Sequence, residues 1–346
     1  MRKRRFLLLS GPDGQNPWAN VTVGPDGALY GTTSSGGNTE CPLGPSSGCG
    51  TVFRLRPPAI ACKTALCPWS EQVLHSFTGA PGDGSSTRAA VVFDQYGYLY
   101  GTTESGGSGP CNPLGYGNAG CGVVFRMSPS QNWDLTVLYS FTGGTDGEDP
   151  IGGVILDGDG NLYGTTNLGG NGYPGCGTVF QVTPGGAEQT LHLINCPSEG
   201  DGFFAGLIMD PLGNLYGAAA HDGPKGGGTV FEVSPAYPYW NFSTIYAFTG
   251  ASGSWGPTQA LVMDQTGNLY GASLWNGNGG CNFNECGFVF KLSPSSGGWT
   301  ITHLYDFTGG NDGTAPLGVK LDAHGNLWGV AQGGAYGYGV VFEITP

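Results

Sequence analysis

The chain is short of charge. Only 11% of its 346 residues are Asp, Glu, Lys or Arg, and 12 basic residues face 25 acidic ones, a formal net charge of -13. A surface that grips phosphate needs clustered Lys and Arg. The one basic run is Arg2-Lys3-Arg4-Arg5, so nucleic acid is not an expected partner. No apolar run approaches the ~20 residues of a membrane span, and no segment carries a helical period. Cys-x-x-Cys spacing is missing, which disfavours zinc. Nucleophile motifs, phosphate loops and metal-ligand clusters are missing too, so no cofactor is expected, calcium excepted as argued below.

What the chain has is glycine, 67 residues of it, at fixed offsets from aromatics. The phrase G-x-L-[YW]-G occurs six times, with its aromatic at Tyr30, Tyr100, Tyr163, Tyr216, Tyr270 and Trp328. Each copy is followed by G-x-V-F, ending at Phe53, Phe125, Phe180, Phe231, Phe290 and Phe342. A period of roughly 50–70 residues rich in β-branched and aromatic residues specifies an all-β fold, a six-bladed β-propeller with one sheet per repeat. No repeat buries its faces without neighbours, so residues 1–346 are expected to form a single domain.

The third repeat shows the blade. Gly153–Leu156 is an apolar run closed by Asp157-Gly158-Asp159-Gly160, a turn signal. Asn161–Thr166, Gly177–Val182 and Thr190–Ile194 follow as further strands, giving a four-stranded antiparallel meander. The D-x-x-G turn recurs at Asp94, Asp157, Asp210, Asp264 and Asp322, with Gly24 in the first repeat. A short carboxylate accepts local backbone N–H groups there, and the glycine takes positive φ. The aromatic ring is expected to fill the space between blades, and its following glycine to admit a neighbouring backbone.

The last repeat ends at Phe342-Glu343-Ile344-Thr345-Pro346 without a fourth strand. Phe6–Ser10 falls on the fourth-strand position when counted back from Tyr30, so the N-terminal strand is expected to close the last blade beside Val341–Ile344. Phe6–Leu9 is too short for the ~7–15-residue core of a signal peptide. The export signal is therefore expected to lie elsewhere, or the natural start to differ.

Ten cysteines fall into local pairs: Cys41–Cys49, Cys62–Cys67, Cys111–Cys121 and Cys281–Cys286, with Cys176–Cys196 across two loops. Local even pairing favours disulfides and an oxidising compartment, so the chain is expected to be secreted or cell-surface; buried reduced thiols are the alternative.

Gly160–Thr166, Gly177–Phe180 and Leu138–Gly144 resemble the GloVer-type tandem repeats of bacterial cell-surface proteins. That resemblance implies an exported protein and carries no catalytic residues. The blade turn is also similar, more loosely, to sensor propellers of two-component regulators and to streptogramin lyases.

In a four-stranded blade the second-to-third and fourth-to-first loops leave from the same end, and both are elaborate here. Function concentrates on such loops. Aromatics for a sugar or peptide rim are Trp18, Tyr116, Tyr173, Phe203, Phe204, Trp255, Trp275, Tyr336 and Tyr338, with Asp146 and Asp312 as polar partners. Trp255 and Trp275 break the repeat consensus in one blade. Asp13, Asp83, Asp146 and Asp312 hold equivalent loop positions, with Asp201 in a shifted loop. They offer oxygen ligands for calcium, or another turn. His221 and Asp222 with Glu104 are the candidate catalytic acid/base groups, weighed against a surface histidine beside a turn aspartate. His75, His192 and His303 are read as solvent-facing or packed on fourth strands.

The expected function is an exported binding or scaffold propeller recognising an extracellular protein or glycan through its disulfide-braced loops. The alternatives are a polysaccharide-active hydrolase or lyase using Asp and Glu there, and a structural unit of a surface assembly.

Overall fold

The computed structural model describes residues 11–38, 41, 48–58, 69–111, 119–170, 175–250, 255–275 and 286–346. The fold is an all-β, six-bladed β-propeller of antiparallel blades, with no α-helix among the described residues. The first sheet is β1 (Thr22–Val23), β2 (Leu29–Thr33), β3 (Thr51–Arg56) and β4 (Ser70–Ser76). The second is β5 (Val92–Phe93), β6 (Leu99–Thr103), β7 (Val123–Ser128) and β8 (Asp134–Ser140). The third is β9 (Val154–Leu156), β10 (Leu162–Thr166), β11 (Thr178–Val182) and β12 (Glu188–Leu193), the meander expected from sequence. The fourth has β13 (Ile208–Met209), β14 (Leu215–Ala219) and the long hairpin β15 (Gly226–Ala236) with β16 (Tyr239–Thr249). The fifth is β17 (Val262–Met263), β18 (Leu269–Ser273), β19 (Phe288–Ser295) and β20 (Gly298–Asp306). The sixth has three strands, β21 (Thr314–Leu321), β22 (Leu327–Gln332) and β23 (Val340–Ile344). Its expected closing strand, Phe6–Ser10, lies outside the described residues.

The chain divides into two compact units, Met1–Gly169 with Phe180–Gln189, and Gly170–Val179 with Thr190–Pro346. Each has cores built from alternate faces of successive blades. In the first unit Tyr30 packs with Val52, Val91, Leu99 and Phe125, its ring edge-on to Phe93 at 4.8 Å. In the second, Tyr216 packs with Val230, Leu261, Leu269 and Phe290. The repeat aromatic thus fills the space between blades, as its apolar bulk requires.

The glycine after that aromatic has a different task from the one expected. Gly31, Gly101 and Gly271 face Phe53, Phe125 and Phe290 across the ladder. A Cβ on Gly101 would stand 2.6 Å from Phe125 Cζ. The missing side chain makes room for a phenylalanine ring on the next strand of the same blade, more than for a neighbour's backbone. Opposite this contact the register slips between Val124 and Phe125, a bulge that recurs at Val52/Phe53, Val230/Phe231 and Val289/Phe290 and turns the ring inward.

The D-x-x-G turns form as expected. Asp157 Oδ1 accepts from the amides of Asp159 (2.9 Å) and Asn161 (2.8 Å), and Gly160 has φ +83°. In the first blade Gly24 leaves the Asp position empty of a carboxylate. Asp26, two residues on, bonds the Ala28 amide at 3.1 Å instead and lies within 3.8 Å of Arg54 and 3.5 Å of Arg56.

Three disulfides match the expected pairs: Cys41–Cys49, Cys111–Cys121 and Cys176–Cys196, with Cα separations of 5.4, 4.9 and 5.9 Å. Cys286 is also disulfide-bonded; its expected partner Cys281, and the pair Cys62–Cys67, lie outside the described residues. No helix among the described residues is long and apolar enough to cross a membrane.

Candidate functional site

One end of each of the first four blades is tied together by backbone. The fourth-to-first loop bridges to the residue just past the second strand: Gln15 to Ser35, Ser85 to Ser105, Glu148 to Leu168, Asp201 to His221. The loop residue that follows takes positive φ, at Asn16 (56°), Ser86 (60°), Asp149 (66°) and Gly202 (75°), as does Ala315 (47°) after the Thr314–Gln332 pair of the sixth blade. Its amide donates to the carbonyl of a repeat cysteine in the preceding blade: Ser86 to Cys49, Asp149 to Cys121, Ala315 to Cys286. Because that cysteine also closes a disulfide, each brace reaches the next blade's loop.

The calcium candidates are taken up by this scaffold. Asp83 Oδ1 accepts from the Thr78 amide and hydroxyl, both at 2.8 Å, and Oδ2 meets His75 Nε2 at 2.5 Å. Burial pushes the Asp83 carboxyl up, but these bonds bring it below the usual carboxylate range. Asp146 is held the same way by Thr142 and Tyr139, and Asp312 by Thr308 and Tyr305. Asp13 contributes its carbonyl to the Thr51 hydroxyl at 3.2 Å. In the fourth blade the equivalent acid is Glu199, bonded to His192 at 2.7 Å and to the Asn195 amide at 2.9 Å. Asp201, the residue the sequence suggested for that place, instead occupies the bridge to His221. Among the described residues no group of three or more His, Cys, Asp or Glu is arranged to hold a metal ion.

In the second unit four rings gather on the loops of the fourth and fifth blades. Phe204 and Trp255 are stacked, their planes 10° from parallel and their centroids 5.7 Å apart. His221 stands edge-on to Trp255 at 4.3 Å, and Trp275 is 6.3 Å from it. Backbone bonds fix the partners: Asp201 and His221 exchange two at 3.0 Å, and the Trp275 amide donates to the Trp255 carbonyl at 3.1 Å. Asp201, bridged to His221 by backbone, has its Oδ1 buried and without a hydrogen-bond partner. Burial pushes its carboxyl up; the charge of Asp222 adds to this and His221 opposes it. Phe204, Trp255, Trp275 and His221 are thus four sequence candidates brought to one place, with Asp222 near enough to act on Asp201.

In the first unit a polar row runs across three blades. The Arg88 guanidinium lies 5.9 Å from the Trp18 ring centre and 2.7 Å from Glu104, which also takes the Ser86 hydroxyl at 2.6 Å. Asp149 follows, touched by the Asn167 amide at 3.4 Å, its Oδ1 buried and unpartnered. Burial raises the Asp149 carboxyl to about 7, with the charge of Glu104 contributing and Arg88 opposing. Arg88, Asp149 and Asn167 escaped sequence reasoning, because they fall at places that vary from repeat to repeat.

The remaining candidates disperse. Phe203 is a core residue, 1% exposed and edge-on to Phe231 at 5.6 Å, so it is not a rim aromatic. Tyr336 and Tyr338 are almost fully exposed. Tyr116 and Tyr173 lie outside the described residues. His75 and His192 pair with acids as above, and His303 stacks on Phe288 at 4.0 Å. Glu104 and His221 belong to different units, each with the neighbours given.

The family described as a Gloeobacter/Verrucomicrobia repeat matches over residues 3–172, 44–278 and 173–346. Among curated proteins none matches. Solved structures similar to this chain include a putative 6-phosphogluconolactonase from Bacteroides uniformis (13% identity, TM-score 0.52, 97% of this chain and 86% of that one). Another is a putative oxidoreductase (glucose dehydrogenase) from Thermus thermophilus (15% identity, TM-score 0.48, 96% and 98%). Identities this low speak to the fold alone.

Proposed function

We propose that this chain, which belongs to the Gloeobacter/Verrucomicrobia repeat family, is an exported binding module that recognises glycan through the loops of its fourth and fifth blades. The observation that carries this is the parallel-stacked Phe204–Trp255 pair, with Phe204 exposed, His221 and Trp275 against Trp255, and the Asp201 carboxyl close enough to feel His221. A pyranose offers an apolar C–H face and a rim of hydroxyls. It needs flat aromatic surface plus directed acceptors, and both are here on a rigid backbone. Disulfides in the loops supply rigidity in advance of binding and accord with an oxidising compartment. The test is a glycan array followed by calorimetry on the best hit. Trp255→Ala is expected to weaken binding at least about tenfold, since a central aromatic anchor contributes that much or more. Unchanged affinity would remove the site from consideration.

A second reading is a polysaccharide-active hydrolase or lyase, favoured by one observation in the first unit. Glu104 is clamped by Arg88 beside an Asp149 whose carboxyl stays protonated to about pH 7. Two carboxyl groups with separated protonation are what general acid/base work needs. Product release from the array's best ligand, abolished by Glu104→Gln, would favour it; binding without turnover would retire it.

A further inference from the structure

The ring cluster has one polar feature that a neutral sugar does not use fully. Asp201 Oδ1 is buried without a hydrogen bond, on a residue whose backbone is paired with that of His221. At the neighbouring Gly202 a Cβ would stand 2.7 Å from His221 Cδ2 and 3.0 Å from Phe204 Cε2, so the two rings close over the loop that carries Asp201. Asp222, held at φ +55° and bridged by its own backbone to Gly227, is near enough for its charge to act on Asp201. The nearby Lys225 places its ammonium 5.8 Å from the Tyr246 ring centre. The cluster therefore joins aromatic faces, which attract cations through their quadrupoles, to two acids of like sign.

Resting on the binding reading above, we propose that the ligand of this site is an amino sugar with a free, protonated amine, its ring laid on Phe204, the exposed member of the Phe204–Trp255 stack, and its ammonium bonded to Asp201. Hydroxyl donors can also reach a carboxylate oxygen, but only a cation gains from both acids and from the rings at once. An N-acetyl group loses the charge and adds bulk where Asp201 is enclosed. The occupant is thus a deacetylated hexosamine unit rather than its acetylated or hydroxyl counterpart.

Three tetrasaccharides isolate the chemistry, because they share ring and linkage and differ only at C2: tetra-glucosamine, tetra-N-acetylglucosamine and cellotetraose. Each is titrated calorimetrically into the full chain at about pH 6. Tetra-glucosamine is expected to bind about tenfold or more tighter than the other two. Asp201→Asn is expected to reduce that preference to about twofold with an unchanged melting temperature, and Asp222→Asn to reduce it partly. Trp255→Ala is expected to abolish binding of all three. Equal affinity for the three sugars would overturn the amine assignment and leave glycan binding standing. No binding to any sugar on the array or among the three would overturn both. Tight binding of tetra-glucosamine that survives Trp255→Ala but is competed equally by spermine would mean charge attraction alone and would also overturn the proposal.

Discussion

Tyr163 donates its phenolic hydroxyl to Asp157 Oδ2 at 3.0 Å, across the turn that joins β9 to β10. The same bond recurs between Tyr100 and Asp94, Tyr216 and Asp210, and Tyr270 and Asp264 at 3.0–3.2 Å, and Trp328 Nε1 makes it to Asp322 at 3.1 Å. The repeat aromatic and the repeat acid, six residues apart, are thus one device: the ring packs between blades while its polar tip locks the turn. Burial and the acceptor carboxylate push the Tyr163 hydroxyl up to about 12.

Removing that acid costs stability. Asp157→Ala removes the acceptor of the Tyr163 hydroxyl and of two turn amides and is expected to cost about 1–3 kcal/mol at pH 7 in urea unfolding. Burial raises the Asp157 carboxyl, yet its hydrogen bonds bring it below the usual range. A depressed folded value contributes stability above the unfolded value of 3.8 and loses it as pH falls through the folded one. The gap between wild type and variant should therefore narrow below about pH 4; a gap constant with pH would refute the turn-acid account.

Gly101→Ala tests the phenylalanine pocket. Its Cβ would press on the Phe125 ring at 2.6 Å, and overpacking of this kind costs about 1–3 kcal/mol. Phe125→Ala alone should cost about 3–5 kcal/mol. In the double variant the glycine penalty should vanish, a coupling readable from a mutant cycle. Additive costs would mean the two residues do not oppose each other.

Asp149 has the opposite sign from the turn acids. Its folded value, about 7, lies above the unfolded 3.8, so the folded state binds more protons between these limits and stability falls as pH rises through the window. Asp149→Asn removes that slope. Its melting temperature should exceed wild type by more at pH 8 than at pH 5. Parallel melting curves would show that Asp149 titrates normally.

The Cys111–Cys121 bridge should do more than close its own loop. Replacing both cysteines by serine is expected to cost about 2–3 kcal/mol. Because the Cys121 carbonyl holds the Asp149 amide at 3.0 Å, that amide in the next blade should exchange its proton faster. Exchange changes confined to the loop around Cys111 would break the proposed link.

Six sheets, the turn acids and three disulfide pairs were legible in the sequence because each repeats its own residue types at fixed spacing. The polar row and the ring cluster were only partly so. Glu104, His221, Trp255 and Trp275 stood out as departures from the repeat. Asp149 did not, because the run Asp146-Gly147-Glu148-Asp149-Pro150 reads as a turn whichever residue fills its variable places, and Arg88 lies just past the matching run Asp83–Thr87. Phe203 was misplaced on the rim because a shifted loop moves the equivalent acid from Asp201 to Glu199, and with it the inward position. The role of the repeat glycine was misjudged for lack of the cross-strand register, which single-strand patterns do not contain.

The bridge that pins each loop to its second strand uses main-chain atoms only. Whatever amino acid occupies the left-handed place beside it, whether Asn16, Ser86, Asp149 or Ala315, the loop keeps its course. One interchangeable residue per blade can therefore redraw what this end of the protein presents to solvent, and the architecture does not register the edit. Close relatives could differ widely in taste while remaining superimposable in outline.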